Sequence, residues 1–207
     1  DYACKIWVNG QEVGKHKGGY TSFSFDITSF VHSGDNTVVL YASDNPRSGK
    51  QSCGKQSASY ASHGCFYTRT TGIWQTVWLE FVPQAYVSKM KLLPDAFNNS
   101  IAVTTELENA AGAILTLFVQ DNGKTVTQKT IRVTDHIAHC SLKIENAHLW
   151  SPEDPHLYDL IITLEKNGET DRIFSYFGLR TVEWHDHKFW LNGKPLFQRL
   201  ILDQGYY

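Results

Sequence analysis

Apolar and polar residues alternate with a period of two along most of the chain. In Thr21–Ile27, Phe23, Phe25 and Ile27 fall on one side while Ser22, Ser24 and Asp26 fall on the other, the alternation of a half-buried strand. The stretch Gly72–Val82 places Ile73, Val77, Leu79 and Phe81 on a common face. Ile101–Leu107, Ile114–Val119 and Leu160–Leu164 repeat the pattern. Four Asn-Gly pairs, at residues 9–10, 122–123, 167–168 and 192–193, separate such runs. Asn-Gly accommodates positive φ at both central positions of a two-residue hairpin. No segment carries a capped helical stripe, so the pattern predicts an all-β protein.

Pro83 and the polar stretch from Pro94 to Ser100 mark a break, and a fresh set of strands begins near Tyr86. A second seam falls near Arg180, ahead of Trp184-His185-Asp186-His187-Lys188. These seams divide the chain into residues 1–83, 84–180 and 181–207. The middle block has the size and strand spacing of an immunoglobulin-like sandwich. The first block offers five or six strands where a jelly roll uses about eight, so earlier strands are expected to be missing. In the tail, a hairpin at Phe189–Phe197 precedes the apolar run Arg199-Leu200-Ile201-Leu202. An apolar strand ending in Asp203-Gln204-Gly205-Tyr206-Tyr207 fits the first strand of a (β/α)8 barrel.

Composition narrows the chemistry. Charged residues make up 19% of the 207 and the formal net charge is −2, which provides no basic field for nucleic acid or an anionic membrane. No apolar run approaches the roughly 20 residues of a membrane-spanning helix. Four cysteines are too few for a disulfide scaffold and read as isolated thiols. The six tryptophans, set among Ile and Val, are expected mostly in the core.

Four motifs then occur in order. They are Ile6-Trp7-Val8-Asn9-Gly10 through Tyr20, with Phe23 and Asp26-Ile27-Thr28; Tyr67-Thr68-Arg69-Thr70-Thr71-Gly72-Ile73-Trp74 through Leu79; Leu149-Trp150-Ser151-Pro152 through Tyr158, with Phe177-Gly178-Leu179-Arg180; and Trp190-Leu191-Asn192-Gly193-Lys194-Pro195. In this order they resemble glycoside hydrolase family two, which includes β-galactosidases, β-glucuronidases and β-mannosidases. The resemblance implies a partial galactose-binding-like jelly roll, an immunoglobulin-like sandwich and the truncated start of a (β/α)8 barrel. It further implies a retaining enzyme that hydrolyses terminal β-linked sugars, of which this chain is a non-catalytic part. Such enzymes use two carboxyl groups about 5–5.5 Å apart, and the resemblance implies that both lie on later barrel strands, beyond Tyr207. Familiar members end the first barrel strand in a Gly-x-Asn-x-His type of segment, whereas Leu200-Ile201-Leu202-Asp203-Gln204 stands here. No cofactor is implied. A carbohydrate substrate is the expected partner, with no nucleic acid and no membrane, and a homo-oligomer is left open.

Other candidate chemistry is weaker. Gly49–Gln56 approaches a phosphate-binding loop, but Gln56 replaces the required Ser or Thr and no helix pattern follows. His185-Asp186-His187 and His63-Gly64-Cys65 each fall short of a closed metal site. Glu106/Glu108 and Glu153/Asp154 read as solvated charges, and Asn98-Asn99-Ser100 fits a glycosylation sequon. Arg69 reads as a structural residue pairing with a carboxylate or stacking on an indole, and the loop from Asp44 to Cys65 as a candidate substrate rim. Asp203 and Gln204, at the C-terminal end of the expected barrel strand, are the candidate substrate-binding residues. No catalytic or metal-binding residue is expected within the chain. The competing readings are a stand-alone carbohydrate-binding module and a structural β-sandwich protein.

Overall fold

A computed structural model describes residues 2–203 and places thirteen β-strands among them, with no helix. All strand pairings are antiparallel. The chain divides into two compact units, Asp1–Leu79 with Ile201–Tyr207, and Glu80–Leu200.

In the first unit, β1 (Ala3–Val8), β2 (Gln11–Lys17) and β3 (Val38–Ser43) form a sheet ordered β2-β1-β3. The β1–β2 turn is Asn9-Gly10, with φ of 50° and 81°, which is the left-handed pair that the sequence requires there. Asn9 does more than turn the chain. Its Nδ2 donates to Phe30 O (2.9 Å) and Asn36 Oδ1 (2.8 Å), and its Oδ1 accepts from Thr37 N (2.9 Å). The return from residue 28 to β3 is thereby pinned to the hairpin.

Two expected strands of this unit form no ladder. Thr21–Ile27 keeps its alternation, with Phe25 and Ile27 half-buried between exposed neighbours, but pairs with no strand. The Phe25 ring lies so close over β2 that a Cβ on Gly14 would collide with it. Residues 72–82 likewise belong to no strand, and Trp74 Nε1 donates to Gly19 O (2.7 Å). Phe81 is 96% exposed and Val77 76%. Alternation makes a segment ready to pair, but a ladder also needs the backbone N–H and C=O groups of two strands brought into register, and neither segment is a strand of the described sheets. The tryptophan expectation also fails: none of the six is among the buried core residues, and Trp74, Trp78 and Trp184 are exposed.

The second unit is a two-layer sandwich. One sheet, ordered β4-β5-β8, comprises β4 (Tyr86–Asp95), β5 (Ser100–Glu108) and β8 (Ile137–Lys143). The other, ordered β10-β9-β6-β7, comprises β6 (Ile114–Asp121), β7 (Lys124–Arg132), β9 (Tyr158–Lys166) and β10 (Glu169–Phe177). Facing side chains interdigitate between the layers: Ile101, Val103 and Leu107 from β5, Leu115, Leu117 and Val119 from β6, and Leu160, Ile162 and Leu164 from β9. Thr105 shares that face at 1% exposure, and its hydroxyl has no partner. A buried hydroxyl without a hydrogen bond is destabilising. Thr105→Val, which preserves shape, is expected to stabilise this unit by about 1 kcal/mol in urea denaturation, and a lowered midpoint would refute the orphan assignment.

Past the sandwich, β11 (Val182–His185), β12 (Lys188–Leu191) and β13 (Lys194–Pro195) make a small meander. Asn192 turns β12 into β13, accepts from Thr181 N (3.0 Å) and donates to Trp150 O (2.9 Å), tying the meander to the sandwich. The motif ending in Phe177–Arg180 packs against the one around Trp150. Leu149 bridges Leu179, and the Arg180 guanidinium lies 4.7 Å over the Trp150 ring. A Cβ on Gly178 would come within 3.3 Å of Trp150 and Leu157, so two motifs far apart in sequence form one packing unit. The run Arg199–Leu202 pairs with no strand among the described residues, and Leu200, Ile201 and Leu202 are exposed.

Candidate functional site

The loop that follows β3 is built on Asp44, the first residue after the strand. Its carboxylate accepts from the side chain of Gln51 and, at 3.2 Å, from Gln56 Nε2, while Gln56 Oε1 accepts from Thr70 N (3.0 Å). Asp44 therefore holds both arms of the loop. Ser57 N donates to Tyr67 O (2.7 Å) and Tyr67 N to Lys55 O (3.0 Å), closing the neck. Ser57 is fully buried, and its hydroxyl is within hydrogen-bonding distance of Ser59 Oγ (2.8 Å), Ala61 O (2.8 Å) and His63 Nδ1 (3.2 Å). These bonds, some between backbone groups and some from side chains, order a segment without regular secondary structure.

On this platform lies an open cleft of about 330 Å³ lined by Asp44, Ser59, Tyr60, Thr68, Arg69 and Thr71, among others. Tyr60 projects at 82% exposure. The Arg47 guanidinium lies 4.2 Å from the Tyr60 ring centre and that of Arg69 5.3 Å. Hydrogen bonding and charge from Arg47, with a smaller contribution from the charge of Arg69, hold the Tyr60 phenol below its usual pKa. The cleft is polar, open and rich in donors. Asp44 is the only carboxylate among its lining residues, so it provides no pair of the kind that retaining hydrolysis requires.

Of the segments singled out in the sequence, the loop 44–65 lines one side of the cleft with Asp44, Pro46, Ser59 and Tyr60, and Thr68, Arg69 and Thr71 line the rest. Arg69 stacks on a phenol, where the sequence suggested a carboxylate or an indole. Gly49–Gln56 folds as turns with no helix behind it, so it lacks the helix N-terminus of a phosphate loop. Asp186 and His187 form the β11–β12 turn, with φ of 51° and 57°, while the His185 ring stacks on Trp190 at 4.4 Å. Among the described residues no group of three or more His, Cys, Asp or Glu side chains is placed to hold a metal ion. All four cysteines are free, with Cys4 and Cys140 buried. Glu106 pairs with Lys89 at 2.9 Å on the surface, and Asp154 sits in a turn closed on Ser151. Asp203 is exposed. Gln204 lies outside the described residues. Arg47 and Tyr60 escape a reading of the sequence because no spacing rule links them to Arg69; only the fold of the loop brings the three together.

Comparison with known proteins decides the family. A model described as glycosyl hydrolases family 2, sugar binding domain, matches residues 1–83, and a second, described as glycosyl hydrolases family 2, matches residues 85–180. The chain belongs to glycosyl hydrolases family 2. This family 2 chain is 30% identical over 203 residues to a β-galactosidase of Thermoanaerobacter pseudethanolicus, covering 93% of the chain and 26% of the relative. It is 31% identical over 204 residues to a putative β-glucuronidase of Formosa agariphila, covering 94% and 24%. A solved β-glucuronidase of Parabacteroides merdae superposes with a TM-score of 0.76 at 25% identity, covering 96% of this chain and 27% of that one. The family 2 chain thus spans about a quarter of the length of the relatives it matches. Its all-β architecture, with jelly-roll and immunoglobulin-like domains, is that of the family 2 enzymes it superposes on. The cleft on the Asp44 loop falls within the residues matched by the sugar-binding model.

Proposed function

We propose that this chain is a non-catalytic part of a larger retaining β-glycosidase that hydrolyses terminal β-linked sugars. The observation carrying this reading is coverage. Two family 2 models match nearly the whole chain, yet it spans only about a quarter of the matched relatives. The names of those relatives support galactosides or glucuronides as the substrate class. On this reading, residues 1–83 form a partial sugar-binding jelly roll, residues 84–180 an immunoglobulin-like sandwich and residues 181–207 the lead-in to a barrel. Arg199–Leu202 then serves as the first barrel strand, with Asp203 and Gln204 lining the substrate pocket. The exposure of Leu200, Ile201 and Leu202 supports it, because an apolar run of that kind is stable when neighbouring strands and helices cover it. The partner on this reading is a carbohydrate, as for the glycosidases the chain resembles.

Assays with nitrophenyl β-galactoside and β-glucuronide test the reading. The 207-residue chain is expected to show no turnover, and the product of the complete reading frame is expected to hydrolyse at least one of them. Turnover by the short chain, or none by the complete product, would overturn it. In the complete enzyme, Asp203→Ala is expected to lower kcat/KM at least about tenfold, which is roughly 1.4 kcal/mol of transition-state stabilisation, with an unchanged melting temperature. A large loss of melting temperature at normal turnover would assign Asp203 a structural role.

A further inference from the structure

The four Asn-Gly turns share a backbone conformation but not an environment. At each, the asparagine has a φ of 49–52° and the glycine one of 71–84°. Asn9 and Asn192 are half-buried, and both ends of each carboxamide are engaged. Asn9 is held by Phe30, Asn36 and Thr37, and Asn192 by Trp150 and Thr181. Asn122 is exposed, and its Nδ2 donates to Asp121 Oδ1 at 2.8 Å. Asn167 and Gly168 are both exposed at the tip of the β9–β10 hairpin, and no hydrogen bond ties the Asn167 side chain or the Gly168 N–H to other described residues. Asn-Gly is also a reactive pair, because glycine has no side chain to shield the main-chain nitrogen that follows the asparagine. For that nitrogen to reach the carboxamide carbon, the asparagine must leave its turn conformation. Exposed hairpin tips open locally at little cost, whereas an engaged carboxamide must first give up its hydrogen bonds.

We propose that Asn167 is the site at which the folded protein modifies itself by deamidation, and that the tertiary hydrogen bonds of Asn9 and Asn192 protect those two turns. The Gly168 nitrogen attacks Asn167 Cγ and forms a C–N bond. The Cγ–Nδ2 bond breaks, and Nδ2 leaves as ammonia with the proton given up by the Gly168 nitrogen. Water then opens the cyclic imide at one of its two carbonyls, giving isoaspartate or aspartate. Nothing is oxidised or reduced, and water is the only co-reactant. Both products place a new negative charge beside Glu165 and Glu169. Isoaspartate also routes the main chain through its own side-chain carbons, which lengthens it inside a turn of only two residues between the paired Lys166 and Glu169. That closing pair cannot survive the insertion, so β10 loses its pairing nearest the turn. The inference stands independently of the glycosidase reading.

The test is to age the folded 207-residue chain in water enriched in heavy oxygen and to follow the four Asn-Gly peptides by mass spectrometry. Each imide that opens during ageing takes up the label, so reaction during later digestion is not counted. Asn167 is expected to acquire label at least about tenfold faster than Asn9 or Asn192, since the loss of even one hydrogen bond is worth a factor of that order. Asn122, with its single tie to Asp121, should fall between. In urea the contacts are gone and the spread should collapse. Alkaline buffer should speed the reaction, because the attacking nitrogen has to lose its proton. Asn167→Gly keeps a turn that tolerates positive φ and should abolish labelling of that peptide while leaving the other three rates unchanged. Hydrogen exchange on the aged chain should be faster at Glu169 and Thr170 than on the fresh one. Equal labelling of the four sites in the folded chain would overturn the proposal. So would labelling of Asn9, Asn122 or Asn192 ahead of Asn167, or a spread that persists in urea.

Discussion

Leu117→Ala is expected to cost the sandwich about 3–4 kcal/mol, within the ~2–5 kcal/mol seen when a fully buried leucine is truncated. Leu117 has no exposed surface and pairs across the ladder with Ile162, itself fully buried, between the two sheets. Removing its three outer carbons forfeits their transfer free energy and leaves a void, because a close-packed interior relaxes only in part. Ile114 on the same strand provides the control. It faces outward at 37% exposure, so Ile114→Ala should cost less than about 1 kcal/mol. The contrast tests register as well as packing, since a slip of one residue would exchange inner and outer positions along the whole strand. Urea denaturation of both variants decides it. Equal losses would mean that β6 does not sit in the observed register.

The second large effect is expected at Asn9, where Asn9→Ala should destabilise the first unit by about 3 kcal/mol, as the sum of lost side-chain hydrogen bonds and a strained turn. Three hydrogen bonds to Phe30, Asn36 and Thr37 would go, and alanine would have to adopt a φ near 50°. Asn9→Gly separates the two causes, because glycine takes positive φ without strain but lacks the side chain; it should recover about 1 kcal/mol of the loss. Asn167 is the comparison. It turns β9 into β10 with a similar φ of 52° but without the long-range side-chain ties of Asn9, so Asn167→Gly should be close to neutral. Thermal melts of the three variants read the difference, and equal effects at Asn9 and Asn167 would show that the loop tie contributes nothing.

The asparagines also show how far the sequence can be read. Four Asn-Gly pairs identify four hairpin turns, and all four adopt positive φ at both positions, because that requirement is local. What the side chains of Asn9 and Asn192 hold is not local. Their partners lie 21–28 and 11–42 residues away in the chain, and no spacing rule reaches that far. The Asp186-His187 turn is illegible for the opposite reason. Without a glycine the pair carries no strong turn signal, yet both residues adopt left-handed conformations here, and a His-Asp-His run suggests metal chemistry first.

Period-two alternation determined the all-β class and the strands β5, β6 and β9, since two faces with different solvation impose that period wherever a sheet forms. Alternation could not say whether a segment would join a sheet: Thr21–Ile27 and residues 72–82 carry the pattern yet form no strand. The family signature was legible because its motifs mark close approaches, such as Gly178 against Trp150, where few side chains fit. The Arg47–Tyr60–Arg69 cluster was decided only by tertiary structure. Asp44 and its two glutamines fold the loop back on itself, and long-range hydrogen bonds of that kind leave no periodic trace in a sequence.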